Sequence, residues 1–164
     1  MEIERKFMVN ILKLHELNLG VIIPLSIEQA YLSTQDSNEV RVRRVDKSIC
    51  TLTIKSKGDL ARKEVEFEIP NIKYEEIIMN KLYLSHIIYK NRYKIPLDGT
   101  LMAEVDVYAK NLLGLVTVEV EFESEEQANQ FIKPNWFDRE VTYDSSFKNR
   151  ALCNCIWDSR YQDA

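Results

Sequence analysis

Glycine and proline are scarce, four of each in 164 residues, and neither clusters into a linker. That excludes collagen-like, low-complexity and loosely tethered multidomain organisation. Cysteine is scarcer still, with Cys50, Cys153 and Cys155 making up the whole set. An odd, sparse set without a secretory segment predicts free thiols in a reducing compartment, not a disulfide framework. Cys153-x-Cys155 lacks the second pair that a tetrahedral zinc site needs and reads as two small residues on a C-terminal helix. No apolar run approaches the roughly 18 residues of a membrane span. The chain opens on charged Glu2, Glu4, Arg5 and Lys6 rather than on a signal peptide. A cytoplasmic protein with no membrane association is expected. Excess positive charge is missing too: 22 Lys+Arg stand against 26 Asp+Glu, a net −4. Generic nucleic-acid binding, which needs a basic surplus, is therefore not expected. Histidine is limited to His15 and His86, isolated from each other, and both read as structural or surface residues.

What is present suits one globular domain over residues 1–164: 45% hydrophobic and 29% charged residues, enough to bury a core without metal or disulfides. Period-two alternation dominates, predicting strands at about 2–8, 25–33, 39–45, 50–56, 62–69, 87–94, 101–108 and 116–123. Asp46-Lys47-Ser48, Lys57-Gly58-Asp59 and Asp98-Gly99 separate neighbouring strands by short turns, which favour antiparallel hairpins. Helices are fewer. Asn10 caps one that runs to Leu17 and closes at Gly20, and Asn71 caps one over 72–83. Ser124-Glu125-Glu126-Gln127 is a capping-box pattern opening a short helix that Pro134 ends, and a last helix is expected over 146–157. The fold class is α+β, a mostly antiparallel sheet with peripheral helices.

Sorting each strand by parity separates charge from hydrocarbon. Glu2, Glu4 and Lys6 share a face opposite Ile3, Arg5 and Phe7; Glu39, Arg41 and Arg43 lie opposite Val40 and Val42. Lys55 shares a face with Thr51 and Thr53, while Arg62, Glu64, Glu66 and Glu68 oppose Val65, Phe67 and Ile69. Lys90 pairs in parity with Arg92, Glu104 with Asp106, and Glu119 with Glu121. A half-solvated antiparallel sheet accounts for simple alternation. Here the charges are concentrated by sign on each strand, and sheets this large tend to curl and close. A barrel closed with its charged face inward, its apolar faces covered by helices, follows as the expectation. Such a lumen suits a polyanion held by Arg and Lys. Its carboxylates then call for an intermediary, and Mg²⁺ or Mn²⁺, which take oxygen ligands and bridge carboxylates to phosphates, fit that need. Glu2 and Glu4 would meet Glu119 and Glu121 across the barrel as a four-carboxylate cluster.

Glu2-Ile3-Glu4-Arg5-Lys6-Phe7 resembles the ExExK signature of the CYTH superfamily, the triphosphate tunnel metalloenzymes. Gln29 to Leu32, Glu39 to Arg43, Leu52 to Lys55, Arg62 to Glu66, Lys90 to Tyr93, Glu104 to Tyr108, Leu113 to Leu115 and Glu119 to Phe122 resemble the family's later segments in the same order. Val141-Thr142 and Asn149 to Leu152 resemble its C-terminal part, while Ala30 stands where glycine is common and Phe147 where an aromatic, often Tyr, occurs. The resemblance implies an eight-stranded closed antiparallel β tunnel with a C-terminal helix near Lys148. Its lumen would bind a triphosphate with divalent metal, Mg²⁺ or Mn²⁺. Glu2, Glu4, Glu119 and Glu121 are then the expected metal ligands. Lys6, Arg41, Arg43, Lys55, Arg62, Lys90 and Arg92 are the expected phosphate contacts. Among them Lys6, Lys55, Lys90 and Arg92 are the expected catalytic cations, stabilising charge on the transferring and leaving groups. Glu64, Glu66, Glu104 and Asp106 match lumen positions of variable role, and Tyr31 reads as packing before substrate contact.

The implied reaction is attack of water on the terminal phosphorus of a small-molecule triphosphate, and the short chain looks most like the small bacterial inorganic triphosphatases. A class IV adenylate cyclase, a thiamine triphosphatase and a non-catalytic polyphosphate- or nucleotide-binding module stay open as alternatives. A homodimer is compatible with the sequence.

Overall fold

The structure, a computed structural model, describes residues 2–33, 38–84 and 86–157. Its elements in chain order are β1 (Glu2–Val9), α1 (Ile11–Leu14), β2 (Leu25–Ser33), β3 (Glu39–Val45), β4 (Ile49–Lys55), β5 (Ala61–Arg62) and β6 (Glu64–Glu68). There follow α2 (Asn71–Met79), β7 (Ile88–Pro96), β8 (Met102–Tyr108), β9 (Val116–Glu121), α3 (Glu125–Gln130), β10 (Phe137–Glu140) and α4 (Asn149–Leu152). The strands form one sheet in the order β10-β1-β9-β8-β7-β2-β3-β4-β6, and every pairing is antiparallel.

The barrel closes by a narrow seam. The continuous strand expected at 62–69 breaks at Lys63 into two pieces that pair with opposite edges of the sheet. β6 extends β4 through Lys55↔Glu64, while β5 crosses to β1 through Glu2↔Arg62 and Ile3↔Ala61. Ser56 pins the corner: its N–H donates to the Lys63 carbonyl at 2.9 Å and its hydroxyl accepts from the Lys63 N–H at 3.0 Å. A Cβ on Gly58 would run into the Ala61 carbonyl, so the loop leading into this seam requires glycine. β1 thus gives the first half of its outer edge to β5 and the second half, Phe7↔Glu140 and Val9↔Phe137, to β10. Eight expected strands become ten, through this break and through β10, four residues too short to show a period.

Local chemistry sets the turns and caps. Asp46 (φ 47°) and Lys47 (φ 60°) give the β3–β4 hairpin the positive-φ turn that suits twisted strands. The Ser124 hydroxyl accepts from the Gln127 N–H at 3.1 Å, and Gln127 reaches back to the Glu123 N–H at 2.9 Å, which starts α3. α2 stops at Met79 rather than at residue 83, because Lys81 adopts φ 53°. The long C-terminal helix expected over 146–157 is instead a single 3₁₀ turn, Ser145–Phe147, and α4. Asp144 caps the 3₁₀ turn through the Ser146 N–H at 3.1 Å, and Lys148 (ψ 137°) is extended and separates the two.

Apolar packing lies mostly outside the barrel. Ile3, Phe7, Val105, Val118 and Val120 pack under Ala128, Trp136 and Phe137, and Tyr74 of α2 packs on Ala30, Val42 and Cys50. Arg5, on this outer face, grips Glu140 at 2.8 and 2.6 Å and the Ala128 carbonyl at 2.8 Å, tying β1 to β10 and α3. Val65 and Phe67 of β6 are both 53% exposed, so the expected covering of the outer face is incomplete. A further cluster lies on lumen-facing positions: Met8, Tyr31 and Tyr108 pack with Phe147 and Leu152 and stopper one end of the barrel. Among the described residues, no helix is long and apolar enough to cross a membrane.

Candidate active site

Strand parity places the charged faces inward around a cavity of about 240 Å³. Lys6, Arg41, Arg43, Lys55, Arg62, Lys90, Arg92, Glu2, Glu4, Glu104, Glu119 and Glu121 all line it. Asp106 lies on the same face beneath Arg92, fully buried, and Glu64 and Glu66 reach the lumen cations Lys55 and Arg43 at 2.8 and 3.5 Å.

The cations divide into two kinds. Those on β1, β4, β5 and β7 are gripped by carboxylates. Lys55 holds Glu2 at 2.7 Å and Glu64 at 2.8 Å; Arg62 holds Glu4 at 2.5 Å. Lys6 reaches Glu119 at 3.1 Å. Arg92 forks onto both oxygens of Asp106 at 2.7 Å, reaches Glu119 at 2.8 Å and pairs with Glu104. The β3 arginines are less neutralised. Arg43 meets Glu66 only at 3.5 Å, and the Nε atoms of both Arg41 and Arg43 are buried without a hydrogen-bond partner. Burial, then the neighbouring Arg41 and Arg92 charges, lower Arg43 to about 10. Burial and Arg92 likewise lower Lys90 to about 8, against the opposing pull of Asp106 at 2.5 Å. The least compensated guanidinium donors therefore lie where β3 faces the lumen.

The carboxylates show the complementary crowding. They do not meet across the barrel, as the sequence reading expected, because β1 and β9 are neighbours: Glu4 lies directly opposite Glu121, and Lys6 opposite Glu119. Glu104 also lies directly opposite Glu119. Like charges in such register destabilise a sheet unless a cation sits between them. Burial, reinforced by Glu4, raises Glu2 to about 7, even with Lys55 beside it. Glu119 is held well below the usual carboxylate range; burial opposes its charge, but Lys6, Arg92 and Lys90 outweigh it. An all-oxygen donor set of this kind, on one wall and crowded by its own repulsion, fits a hard divalent cation. Among the described residues no three such groups are already gathered for a metal, since Lys55, Arg62, Lys6 and Arg92 hold the glutamates apart.

Several lining residues escaped the sequence reading. Gln29 shares parity with Tyr31 and donates to its hydroxyl at 3.3 Å, so parity alone could have found it. Asp59, Thr142 and Asn149 lie on loops or helix starts, where no period operates. Lys148 pairs with Asp59 and donates to the Gly58 carbonyl at 2.8 Å, joining the C-terminal segment to the β4–β5 loop beside the lumen. Tyr31 is 1% exposed and works chiefly as packing. His15 and His86 do not line the cavity.

Fold and lumen together define a charged antiparallel β tunnel, with a cationic wall facing a crowded acidic one. The chain belongs to the CYTH family, whose domain model matches residues 1–140. It is similar to an inorganic triphosphatase of Nitrosomonas europaea, 42% identical over 158 residues that cover 94% of this chain and 98% of that protein. An inorganic triphosphatase of Acetivibrio thermocellus is 36% identical over 152 residues, 92% of either chain. The crystal structure of an inorganic triphosphatase superposes with a TM-score of 0.68 at 35% identity, covering 96% of this chain and 97% of that one.

Proposed function

We propose that this chain is a divalent-metal-dependent inorganic triphosphatase, a single tunnel domain over residues 1–164. It splits linear tripolyphosphate and water into pyrophosphate and orthophosphate. The observation that carries the reading is the pair of buried, unpartnered Nε atoms on Arg41 and Arg43, adjoining the Lys90–Arg92 wall. Buried guanidinium donors without acceptors ask for an anion rich in oxygens. The names of the two relatives at 42% and 36% identity support hydrolysis as the outcome. The free thiols of Cys50, Cys153 and Cys155 suit a reducing cytoplasm.

Binding exchanges partners. Phosphate oxygens take Lys55, Arg62, Lys6 and Arg92 from the glutamates that hold them, and the released Glu2, Glu4 and Glu119, with Glu121 opposite Glu4, would be free to hold Mg²⁺ or Mn²⁺. The metal, when bound, supplies charge neutralisation along the phosphate chain and lowers the pKa of bound water. Arg41 and Arg43 orient the chain through their forked donors. Lys6, Lys55, Lys90 and Arg92 stabilise the charge that develops on the bridging oxygen as its bond to the terminal phosphorus breaks. Phosphoryl transfer needs little beyond such positioning and electrostatics. Among the described residues the aromatic rings lining the lumen, Tyr31 and Phe147, are 1% and 8% exposed and give a nucleobase no platform, which favours hydrolysis over cyclisation.

Incubation with Mg²⁺ and tripolyphosphate is expected to release orthophosphate, with chelation abolishing the release. Cyclic AMP with pyrophosphate from ATP would reassign the chain as a cyclase, and no metal-dependent turnover of any triphosphate would overturn the reading.

Lys90 gives the reaction a pH limb. In the free protein it loses its proton above about pH 8, removing one positive charge from the lumen. kcat/KM, which reports the free enzyme, should therefore fall as pH rises through about 8. Bound polyanion favours the charged lysine, so the corresponding limb in kcat lies higher. Lys90→Arg should remove the kcat/KM limb from the range below pH 10 (arginine's ordinary pKa being about 12.5 or above); a limb that stays in place would mean that another group sets it.

A further inference from the structure

A second cavity, of about 380 Å³, adjoins the lumen at the β4–β5 loop. Glu39, Asp59, Arg62 and Lys148 line both cavities, so the two share a wall. That boundary is built around the Lys148–Asp59 ion pair and Arg62, which reaches Glu4 at 2.5 Å and Glu2 at 3.6 Å in the lumen. The remaining lining comes from Ser56, Lys57, Gly58 and Arg150, with no aromatic ring or wholly apolar side chain among the described residues. Of its four cations, Lys148 is paired with Asp59 and Arg62 with Glu4 and Glu2, which leaves Lys57 and Arg150. The charged ends of Lys57 and Arg150 have no hydrogen bond or ion pair to any described residue. They are cations available to a ligand, next to the residues that the vestibule shares with the lumen.

We propose that this vestibule is a polyanion subsite, bordering the lumen at Arg62 and Lys148, that receives phosphoryl groups beyond the third of a longer inorganic polyphosphate chain. The proposal rests on the triphosphate reading of the lumen and extends it to a substrate class. A lining with no aromatic ring and no wholly apolar side chain among the described residues gives a nucleobase or thiazole no stacking surface. Repeated phosphoryl groups need only donors and positive charge at successive positions, which Arg62, Lys148, Lys57 and Arg150 supply. Arg62 stands at the junction and would serve both compartments.

Calorimetric titration of the full chain in metal-free buffer with tripolyphosphate and with tetrapolyphosphate tests this. Lys57→Ala/Arg150→Ala is expected to weaken tetrapolyphosphate binding about tenfold and tripolyphosphate binding less than about twofold. A charge-matched control on exposed turns and helices, Lys47→Gln/Lys73→Gln, should leave the ratio of the two affinities unchanged. An unaltered ratio in the first variant, an equal change in the control, or no binding of either chain would overturn the subsite. Orthophosphate release from tripolyphosphate by the same preparations, with Mg²⁺ added, reads the hydrolase assignment separately. A changed binding ratio without turnover would keep the subsite and remove the hydrolase, and turnover with an unchanged ratio would do the reverse.

Discussion

Glu119→Gln is expected to lower kcat on tripolyphosphate by at least about 100-fold, close to abolition of metal-dependent turnover. Glu119 occupies a position no other carboxylate can replace. One oxygen lies 3.1 Å from Lys6 and the other 2.8 Å from Arg92, and Glu104 faces it across the β8–β9 ladder. The amide keeps the shape and one acceptor but loses the charge that steadies two lumen cations and that, in the proposed function, would hold a divalent ion. Lys6 and Arg92 would then lie uncompensated on the acidic side. The proton balance also shifts, because the native carboxyl is held ionised far below neutral pH by those same cations. Orthophosphate release at saturating Mg²⁺ measures the effect, with circular dichroism confirming a folded variant. A kcat within about twofold of the parent would place Glu119 outside the catalytic lumen.

Arg92→Ala should be the most destabilising single change in the lumen. Its guanidinium closes on Asp106 with two bonds of 2.7 Å, on Glu119 at 2.8 Å and on Glu104. Asp106 is completely buried, and Lys90 at 2.5 Å would be its one remaining cation among the described residues. Removing one member of a buried ion network while its partners stay charged costs about 3–5 kcal/mol. For a chain of this size that corresponds to a loss of about 6–20 °C in Tm. Arg92→Lys should recover only part of it, because a single ammonium cannot fork onto three carboxylates. Thermal unfolding decides the matter: a Tm within about 2 °C of the parent for Arg92→Ala would mean that the acids are satisfied without it.

The site was legible because a strand has period two. Glu2, Glu4 and Lys6, or Lys90 and Arg92, fall on one face by covalent geometry alone, and nothing later in folding can separate them. The positions of the strands beginning at Glu2, Leu25 and Glu39 followed from the same alternation. The seam was not legible. Arg62 and Glu64 share parity with Glu66 in sequence, yet Lys63 turns the chain so that Arg62 faces β1 and Glu64 faces β4. That corner exists because a curved sheet must meet its own first strand, a demand made by residues some sixty positions away. The short C-terminal elements failed for a related reason. Phe147, Ala151 and Leu152 look helical by spacing, but Lys148 is drawn out of the helix to reach Asp59 and Gly58.

Which charge meets which was likewise settled only in three dimensions. Alternation assigns Glu119 and Glu121 to the lumen without saying whether they face Glu2 and Glu4 across empty space or along one wall. Adjacency of β1 and β9 decides for one wall and sets Glu4 against Glu121 and Lys6 against Glu119. The sequence by itself determined the inward face of each strand and hence the two opposed populations of charge, since side-chain alternation is a local property of extended backbone. The tertiary structure alone decided the closure at β5, the stopper built on Phe147 and Leu152, the Lys148–Asp59 wall and the pairing of each cation with its acid. All of these depend on register between distant strands, and register is fixed by packing the whole sheet rather than by any one segment.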